Sequence, residues 1–263
     1  MKVSEIFSPH IMPAGAQPVR CLVLEDTQAK LLEDYLVQQL PWCYTTKKHA
    51  KNRAKVTGLS ACEFIATKLP DPGSVMSGDF GEILTLLFLS SERVEKTVKV
   101  NKWRYKENRL KAAPLSDVIL LHRKDDGMPS NQDFVICAEA KQKSTKSKNF
   151  FPIEKSIEGF EQDKTGRLAR TLTWLREKAI DQEEPEKIKF IDRFTSGHLT
   201  VEYKKHFKAV AIVDRNLLDD ELIRQLKLPP QDESFEVIVL GIDKLKTLYE
   251  IVYARAQAEV KVE

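Results

Sequence analysis

The sequence predicts an α/β fold in which a mixed β-sheet is flanked by helices. A helix that is apolar almost all round, "SGDFGEILTLLFLSSE" at 77–92, precedes three segments with strand patterning. Two further apolar runs, "FKAVAIVD" at 207–214 and "FEVIVLGI" at 235–242, follow a long helical region. The order helix, three strands, helix, strand is typical of a sheet with helices on its faces.

Composition places the chain among ordinary globular proteins. Its 263 residues are 42% hydrophobic and 31% charged, which is enough for one sizeable core. The longest apolar run, "ILTLLFL" at 83–89, is far short of the roughly 20 residues that a membrane span needs, and the N-terminus lacks the apolar region of a secretory signal. We therefore expect a cytoplasmic protein with no membrane partner. Four cysteines without CxxC spacing are predicted to be free thiols.

The first seventy residues are predicted to form an N-terminal extension of strand and helix. A strand, "RCLVLE", precedes a helix that Asp26 or Thr27 caps and that ends near Pro41, and a second helix spans 48–69. Residues 71–263 then form the domain that contains the sheet. We expect 1–70 to be a partner-docking region, because it contains Trp42 and Tyr44 beside a basic run; a helical cap on the sheet is the alternative.

The elements of the main domain follow in order. After the buried helix, "RVEKTVKVNKWRYKE" alternates like a strand with one solvated face, and "LSDVILLHRK" is a mostly apolar strand. The turn "DDGMPSN" leads into a third strand, "DFVICAEAK". A helical region over about 153–182, the two apolar strands and a closing helix to about 258 complete the chain.

The third strand carries charges on a half-buried face. Side chains alternate between the two faces of a strand, so Glu139, Lys141 and Lys143 share one face with Val135 and Cys137. In an antiparallel pair joined by the turn, Asp117 at the start of "DVILL" lies close to Glu139 on that face. Three functional groups are thus predicted at one end of the hairpin.

A third carboxylate, Glu82, lies in the first turn of the predicted buried helix. Carboxylates that converge without compensating arginines repel each other, which favours a bound hard divalent cation, Mg²⁺ or Mn²⁺. Such a cation activates water, and Lys141 orients or deprotonates that water and stabilises the phosphate, as in a phosphodiesterase. Two alternatives stay open: Asp79 and Glu82 form a capping box, and Asp117 is a turn residue at a strand entry.

The Glu-x-Lys motif by itself is weak, because it occurs three times. Glu259/Lys261 lies in the predicted terminal helix, where positions i and i+2 face apart. Glu202/Lys204 follows Asp192 in "FIDRFTSGHLTVEYKK", which has the length of a hairpin but lacks an apolar core run. Glu139/Lys141 is therefore preferred.

Two basic runs without acidic residues, at 45–55 and 141–148, are predicted to bind DNA phosphates. Their alternative is a solvated surface. The DNA-binding candidates are Lys47, Lys48, Lys51, Arg53, Lys143, Lys146 and Lys148.

Three segments, "SGDFGEILTLLFL", "PLSDVILL" and "ICAEAKQK", resemble the HamA family, the nuclease subunit of the Hachiman antiphage defence system, to which the AbpA defence proteins are related. Asp117 followed by Glu139-x-Lys141 also resembles the PD-(D/E)xK nuclease superfamily, with its αβββαβ core and divalent-metal site. Pro114 lies three residues before Asp117 instead of adjacent to it, which departs from the superfamily's pattern. The similarity covers about residues 76–180.

The resemblance implies a metal-dependent DNA endonuclease of low sequence specificity, controlled by a superfamily 2 helicase, HamB. Asp117 and Glu139 would be metal ligands, Lys141 the catalytic lysine, and Glu82 the acid that the helix contributes to the same site. Two other functions remain open: a catalytically silent, nuclease-like subunit that binds DNA or regulates a partner, and an RNA nuclease.

Overall fold

A computed structural model describes residues 1–93, 95–195 and 201–260. Its strands form a seven-stranded mixed sheet in the order β1-β2-β7-β6-β5-β4-β3. The pairs β2/β7, β7/β6 and β6/β5 are parallel, and β1/β2, β5/β4 and β4/β3 are antiparallel. The strands are β1 (Phe7–Pro9), β2 (Arg20–Leu24), β3 (Val98–Lys99), β4 (Val118–His122), β5 (Phe134–Lys143), β6 (Lys204–Asp214) and β7 (Phe235–Ile242).

Helices cover both faces of this sheet, so the predicted mixed α/β architecture is confirmed. Three of them, α1, α4 and α9, share a core with one face, and α5 and α8 share a core with the other. The helices are α1 (Asp26–Tyr44), α2 (Lys47–Thr57), α3 (Ala61–Ala66), α4 (Ser74–Glu92), α5 (Pro152–Gln162), α6 (Leu168–Asp181), α7 (Pro185–Asp192), α8 (Arg215–Leu222) and α9 (Leu245–Glu259).

Strand β5 lies within the sheet and separates the core beneath α4 from a smaller core beneath α6. Its residues Ile136 and Ala138 belong to the core beneath α4, whereas Val135 and Cys137 belong to the core beneath α6. This alternation is the one expected of a strand buried on both faces. Glu139 and Lys141 therefore share the face of Val135 and Cys137, as the sequence predicted, and this face is the one that α5 and α6 cover.

The first seventy residues differ in detail from the sequence prediction. Glu25 is the N-cap of α1, without a side-chain cap, and the helix continues past Pro41 to Tyr44. The predicted second helix is two helices, because Gly58 ends α2 in a left-handed conformation with φ 72° and Ser60 begins α3 with a capping box. Strand β2 pairs with β7, so this segment shares the sheet; the division at residue 70 and its docking role stay predictions.

The first strand of the predicted meander is mostly not a strand. Among the described residues of this segment, a strand is formed only by Val98–Lys99, which pairs with β4, and Lys102–Tyr105 forms a 3₁₀-helix. Lys102 and Trp103 are buried in that turn, where both contact Glu82. Tertiary contacts with α4 thus override the alternating pattern of the local sequence.

Helix α4 begins earlier than the capping-box alternative requires. Its N-cap is Gly73, so Asp79 lies in the second turn and Glu82 in the third. Both side chains are buried. The expected place of Glu82 in the first turn and its alternative role as a helix cap are therefore both wrong.

The two other Glu-x-Lys motifs do not form hairpin sites among the described residues. Asp192 ends helix α7 and pairs with Arg176, which excludes a strand there. Glu202 is exposed and precedes β6. Glu259 is on α9, paired with Arg255, and its partner Lys261 lies outside the described residues, as do 196–200.

Within the described ranges, no helix combines the length and the apolar character needed to cross a lipid bilayer. The four cysteines are free thiols, as predicted.

Candidate active site

The β4–β5 hairpin brings Asp117 next to the charged part of β5. Val118 pairs with Ala138, so Asp117, one residue before β4, is level with Glu139. The backbone N–H of Ala140 donates to Asp117 Oδ2 at 3.1 Å, which fixes the carboxylate beside the strand. The predicted proximity of Asp117 and Glu139 therefore follows directly from the strand register.

The ammonium of Lys141 lies in a cradle of three oxygen atoms. It is 3.1 Å from Asp117 Oδ2 and 3.3 Å from the carbonyl oxygen of Ala140, and it also contacts Glu139 Oε1. We call this group of oxygens the carboxylate cradle. It holds one positive charge at the point where the two carboxylates converge.

Glu82 reaches the site from the opposite face of the sheet, through a lysine. Its Oε2 accepts from Trp103 Nε1 at 3.2 Å and lies 3.2 Å from Lys102 Nζ. Lys102 Nζ is in turn 3.7 Å from Asp117 Oδ1 and donates to the carbonyl oxygen of Ser116 at 2.9 Å. Lys102 therefore lies between Glu82 and Asp117.

An arginine holds the other side of Glu139. The guanidinium of Arg167 contacts Glu139 Oε2, donates to Asp163 Oδ1 at 2.7 Å and donates to the carbonyl oxygen of Gly159 at 2.7 Å. It is placed there by a kink between α5 and α6, at Gly166 with φ 139°. The expectation of carboxylates without compensating cations is therefore wrong, because Lys102, Lys141 and Arg167 all neutralise them.

Helix α5 approaches Glu139 so closely that only glycine fits at the contact. A Cβ at Gly159 would lie 2.2 Å from Glu139 Cδ and 2.4 Å from its Oε1. Glu139 is 3% exposed, so the absent side chain of Gly159 provides the space for the carboxylate. Gly159 is therefore a positioning residue of this site.

Burial and mutual repulsion shift the protonation of the carboxylates. Burial, followed by the charge of Asp117, raises the pKa of Glu139 to about 7. Burial likewise raises the pKa of Glu82 to about 8. For Asp117 burial acts in the same direction, but the Lys102 and Lys141 ammoniums outweigh it and hold the pKa of this carboxyl below its usual value.

The carboxylate cradle has the donor chemistry of a hard divalent cation, which prefers oxygen ligands. The Lys141 ammonium is a stand-in cation there, in contact with Asp117, Glu139 and the Ala140 carbonyl. In the part of the chain that the structure describes, no three His, Cys, Asp or Glu side chains form a ready metal cluster. Asp117 and Glu139 thus fit a cation, whereas Lys102 separates Glu82 from the cradle.

Comparison with known proteins gives one family. The HamA family model matches residues 10–256 of the 263-residue chain. The chain belongs to the HamA family. Membership indicates a component of Hachiman antiphage defence. No curated protein matches the chain. The family match extends well beyond residues 76–180, on which the sequence resemblance rested, and includes most of the N-terminal segment.

The predicted DNA-binding lysines of this HamA chain differ in exposure. Lys143 is 7% exposed, pairs with Glu221 at 2.7 Å and donates to the carbonyl oxygen of Phe150 at 2.8 Å. Because its ammonium holds α8 and the following loop, the predicted contact between Lys143 and DNA is wrong. The other candidates are exposed: Lys47, Lys48, Lys51 and Arg53 on α2, and Lys146 and Lys148 after β5.

Sequence reasoning missed three residues of the site. Lys102 lay within a segment that was predicted to be a strand with one solvated face, and Arg167 and Gly159 lay within a predicted helical region. A glycine in a helix interior is unfavourable by itself, so Gly159 gave a weak signal, which it shared with Gly166. Arg167 and Lys102 carry no such signal, because charged residues are frequent throughout this chain.

Proposed function

We propose that this HamA-family chain is a metal-dependent nuclease with a PD-(D/E)xK core, and that it cuts DNA with little sequence specificity as the effector of Hachiman defence. The observation that carries the proposal is the carboxylate cradle. Two carboxylates and a backbone carbonyl from adjoining strands surround one point, where they hold the lysine of a Glu-x-Lys motif.

Each residue then has a role that follows from its position. Asp117 and Glu139 would bind Mg²⁺ or Mn²⁺ with the Ala140 carbonyl, and Lys141 would move aside to neutralise the scissile phosphate. A bound divalent cation supplies positive charge and lowers the pKa of a water molecule. Arg167 and Gly159 keep Glu139 in place from the α5 side.

The proposed substrate is DNA, bound through exposed cations. Lys146 and Lys148 come three and five residues after the end of β5, and the cations of α2 begin at Lys47, three residues after Tyr44. Tyr44 donates to Asp79 Oδ2 at 2.6 Å, and Asp79 lies one helical turn before Glu82. Lys146 and Lys148 thus follow the strand that carries Glu139 and Lys141, and α2 is linked to Glu82 through Tyr44 and Asp79. Phosphates bound by these cations would be neutralised without readout of the bases.

A partner helicase, expected from the family resemblance, would restrain the enzyme. A nuclease without base readout and with an accessible site would damage its host's own DNA. The N-terminal segment is connected to the site, because Arg104, two residues after Lys102, donates to the carbonyl oxygen of Trp42 at 3.2 Å. A partner docked on α1 and α2 would therefore displace or hold the 3₁₀-helix whose Lys102 and Trp103 contact Glu82.

The test is incubation of the purified chain with supercoiled plasmid, with Mg²⁺, Mn²⁺ or EDTA, alone and with a helicase of the proposed partner type. We expect nicking or linearisation that EDTA abolishes and that the helicase reduces. Single-stranded RNA as a parallel substrate distinguishes an RNA nuclease. Absence of cleavage under all conditions, including helicase supplied with abnormal DNA, would contradict the proposal.

One observation favours a second candidate, a catalytically silent DNA-binding or regulatory subunit. Every carboxylate of the site already has a cationic partner, as expected of a purely structural network. This subunit would bind DNA equally well in EDTA and Mg²⁺ and would cut nothing. The plasmid experiment therefore separates the two candidates.

The exposed and buried lysines give a separate prediction. Lys146→Ala/Lys148→Ala should weaken binding to duplex DNA and reduce the slope of log affinity against log salt by about 0.9 per lost phosphate contact. Lys143→Met should instead leave this slope unchanged and lower the melting temperature, since it leaves Glu221 buried without its partner. Fluorescence anisotropy at several salt concentrations measures the slope; an unaltered slope in the double variant would show that this run is only solvated.

A further inference from the structure

Lys102 is a buried cation that the proposed chemistry does not use. Its side chain is 4% exposed, yet it belongs to a short 3₁₀-helix near the edge strand β3. Burying an ammonium is costly unless it is paired and hydrogen-bonded. Its partners are Glu82 Oε2 at 3.2 Å, Asp117 Oδ1 at 3.7 Å and the carbonyl oxygen of Ser116 at 2.9 Å.

These three oxygens surround Lys102 much as the carboxylate cradle surrounds Lys141. Asp117 contributes to both groups, with Oδ1 facing Lys102 and Oδ2 facing Lys141. The site therefore has two adjacent positions for a cation, which share one bridging carboxylate. Such an arrangement has the form of a two-metal site, in which a carboxylate bridges the ions.

The two positions differ in how firmly their ammonium is held. Lys141 is more exposed than Lys102 and extends from the end of β5, so it can leave the cradle. Lys102 is enclosed, and Trp103 next to it donates to the same oxygen of Glu82. If the Lys102 ammonium left this enclosure, Glu82 would lose the cation with which it pairs, and Asp117 would keep only Lys141.

We propose that this site binds one divalent cation and that the Lys102 ammonium permanently occupies the second cation position. The inference rests on the proposed nuclease function and specifies its metal stoichiometry. Glu82 is then a positioning residue: it holds Lys102, which holds Asp117 Oδ1, so that Oδ2 faces the cradle. Glu82 would not bind the metal itself.

Lys106, four residues after Lys102, provides a matched control. The side chain of Lys106 is also 4% exposed and donates to Asp79 Oδ2 at 2.7 Å, while Asp79 keeps a hydrogen bond from Tyr44. Lys106→Met thus removes a buried ammonium without changing the contacts of Asp117 or Glu82. Lys102→Met removes the ammonium that lies between the Glu82 and Asp117 carboxylates.

The test is Mn²⁺ binding to the full chain. Calorimetry measures the number of ions bound per chain, and electron paramagnetic resonance shows whether they are isolated or coupled. Wild type and Lys106→Met should bind one Mn²⁺ per chain, with the spectrum of an isolated ion. Lys102→Met should bind two, with the spectrum of an exchange-coupled pair. Thermal melting establishes whether each variant is folded. If Lys102→Met does not fold, Glu82→Gln is the deciding variant. It should still bind one Mn²⁺ per chain, because Glu82 is not a metal ligand in this proposal.

Each other result would overturn the inference. Two coupled ions in the wild type, reduced to one by Glu82→Gln, would make Glu82 a ligand and leave the proposed nuclease function intact. A folded Lys102→Met variant that still binds one ion would show that Lys102 does not fill a cation position. Absence of Mn²⁺ binding by the wild type would overturn both this inference and the proposed metal dependence.

Discussion

Glu139→Ala and Lys141→Ala are each expected to reduce Mg²⁺-dependent DNA cleavage by at least about 10²–10³-fold, the typical effect of removing one group that stabilises a transition state. Glu139 provides one oxygen of the carboxylate cradle, and Lys141 provides its positive charge. Rates of plasmid nicking measure the effect. DNA affinity should change little, because Glu139 is buried, Lys141→Ala removes a single phosphate contact, and the exposed cations that would contact the backbone remain.

Glu202→Ala is the control for this pair of variants. Glu202 also belongs to a Glu-x-Lys motif, but it is exposed and lies outside the sheet. Its substitution should leave the cleavage rate unchanged. If Glu202→Ala were inactive while Glu139→Ala cut normally, the active site would have to lie near β6 and not in the β4–β5 hairpin.

Gly159→Ala is expected to lower cleavage by at least about 10²-fold, since a displacement of about 1 Å at a reacting group has an effect of that size. The new Cβ would lie 2.2 Å from Glu139 Cδ, so either the carboxylate or helix α5 has to move. Overpacking of this kind also lowers the free energy of unfolding by about 1–3 kcal/mol. Cleavage rates and thermal melting measure the two effects.

Gly78→Ala is the matched control, because it makes the same substitution in another helix. A Cβ at Gly78, in α4 and one turn before Glu82, would meet no atom within 4 Å. This variant should be more stable by about 0.5–1 kcal/mol, since alanine loses less backbone entropy in a helix than glycine. Its cleavage should equal that of the wild type, and a Gly159→Ala variant equally active would show that Gly159 does not position Glu139.

The sequence by itself determined those parts of the site that lie close together along the chain. Asp117, Glu139 and Lys141 belong to one hairpin, whose turn and alternating pattern set both the register and the face. The sheet strands with apolar runs were predictable for the same reason, because burial on both faces leaves a continuous apolar signal. The family, too, was recognisable from three segments of the chain.

Only the tertiary structure decided which cations accompany these carboxylates. Lys102 arrives from a 3₁₀-helix that reads as a strand, and Arg167 from beyond a kink at Gly166. Neither position follows from local propensity, because both depend on where α4, α5 and α6 pack against the sheet. Lys143 shows the converse. Its charge and position suggested a contact with DNA, but its ammonium is buried and pairs with Glu221 of α8. A charged residue's role is set by its neighbours in space, which sequence spacing specifies only within a single hairpin or helix.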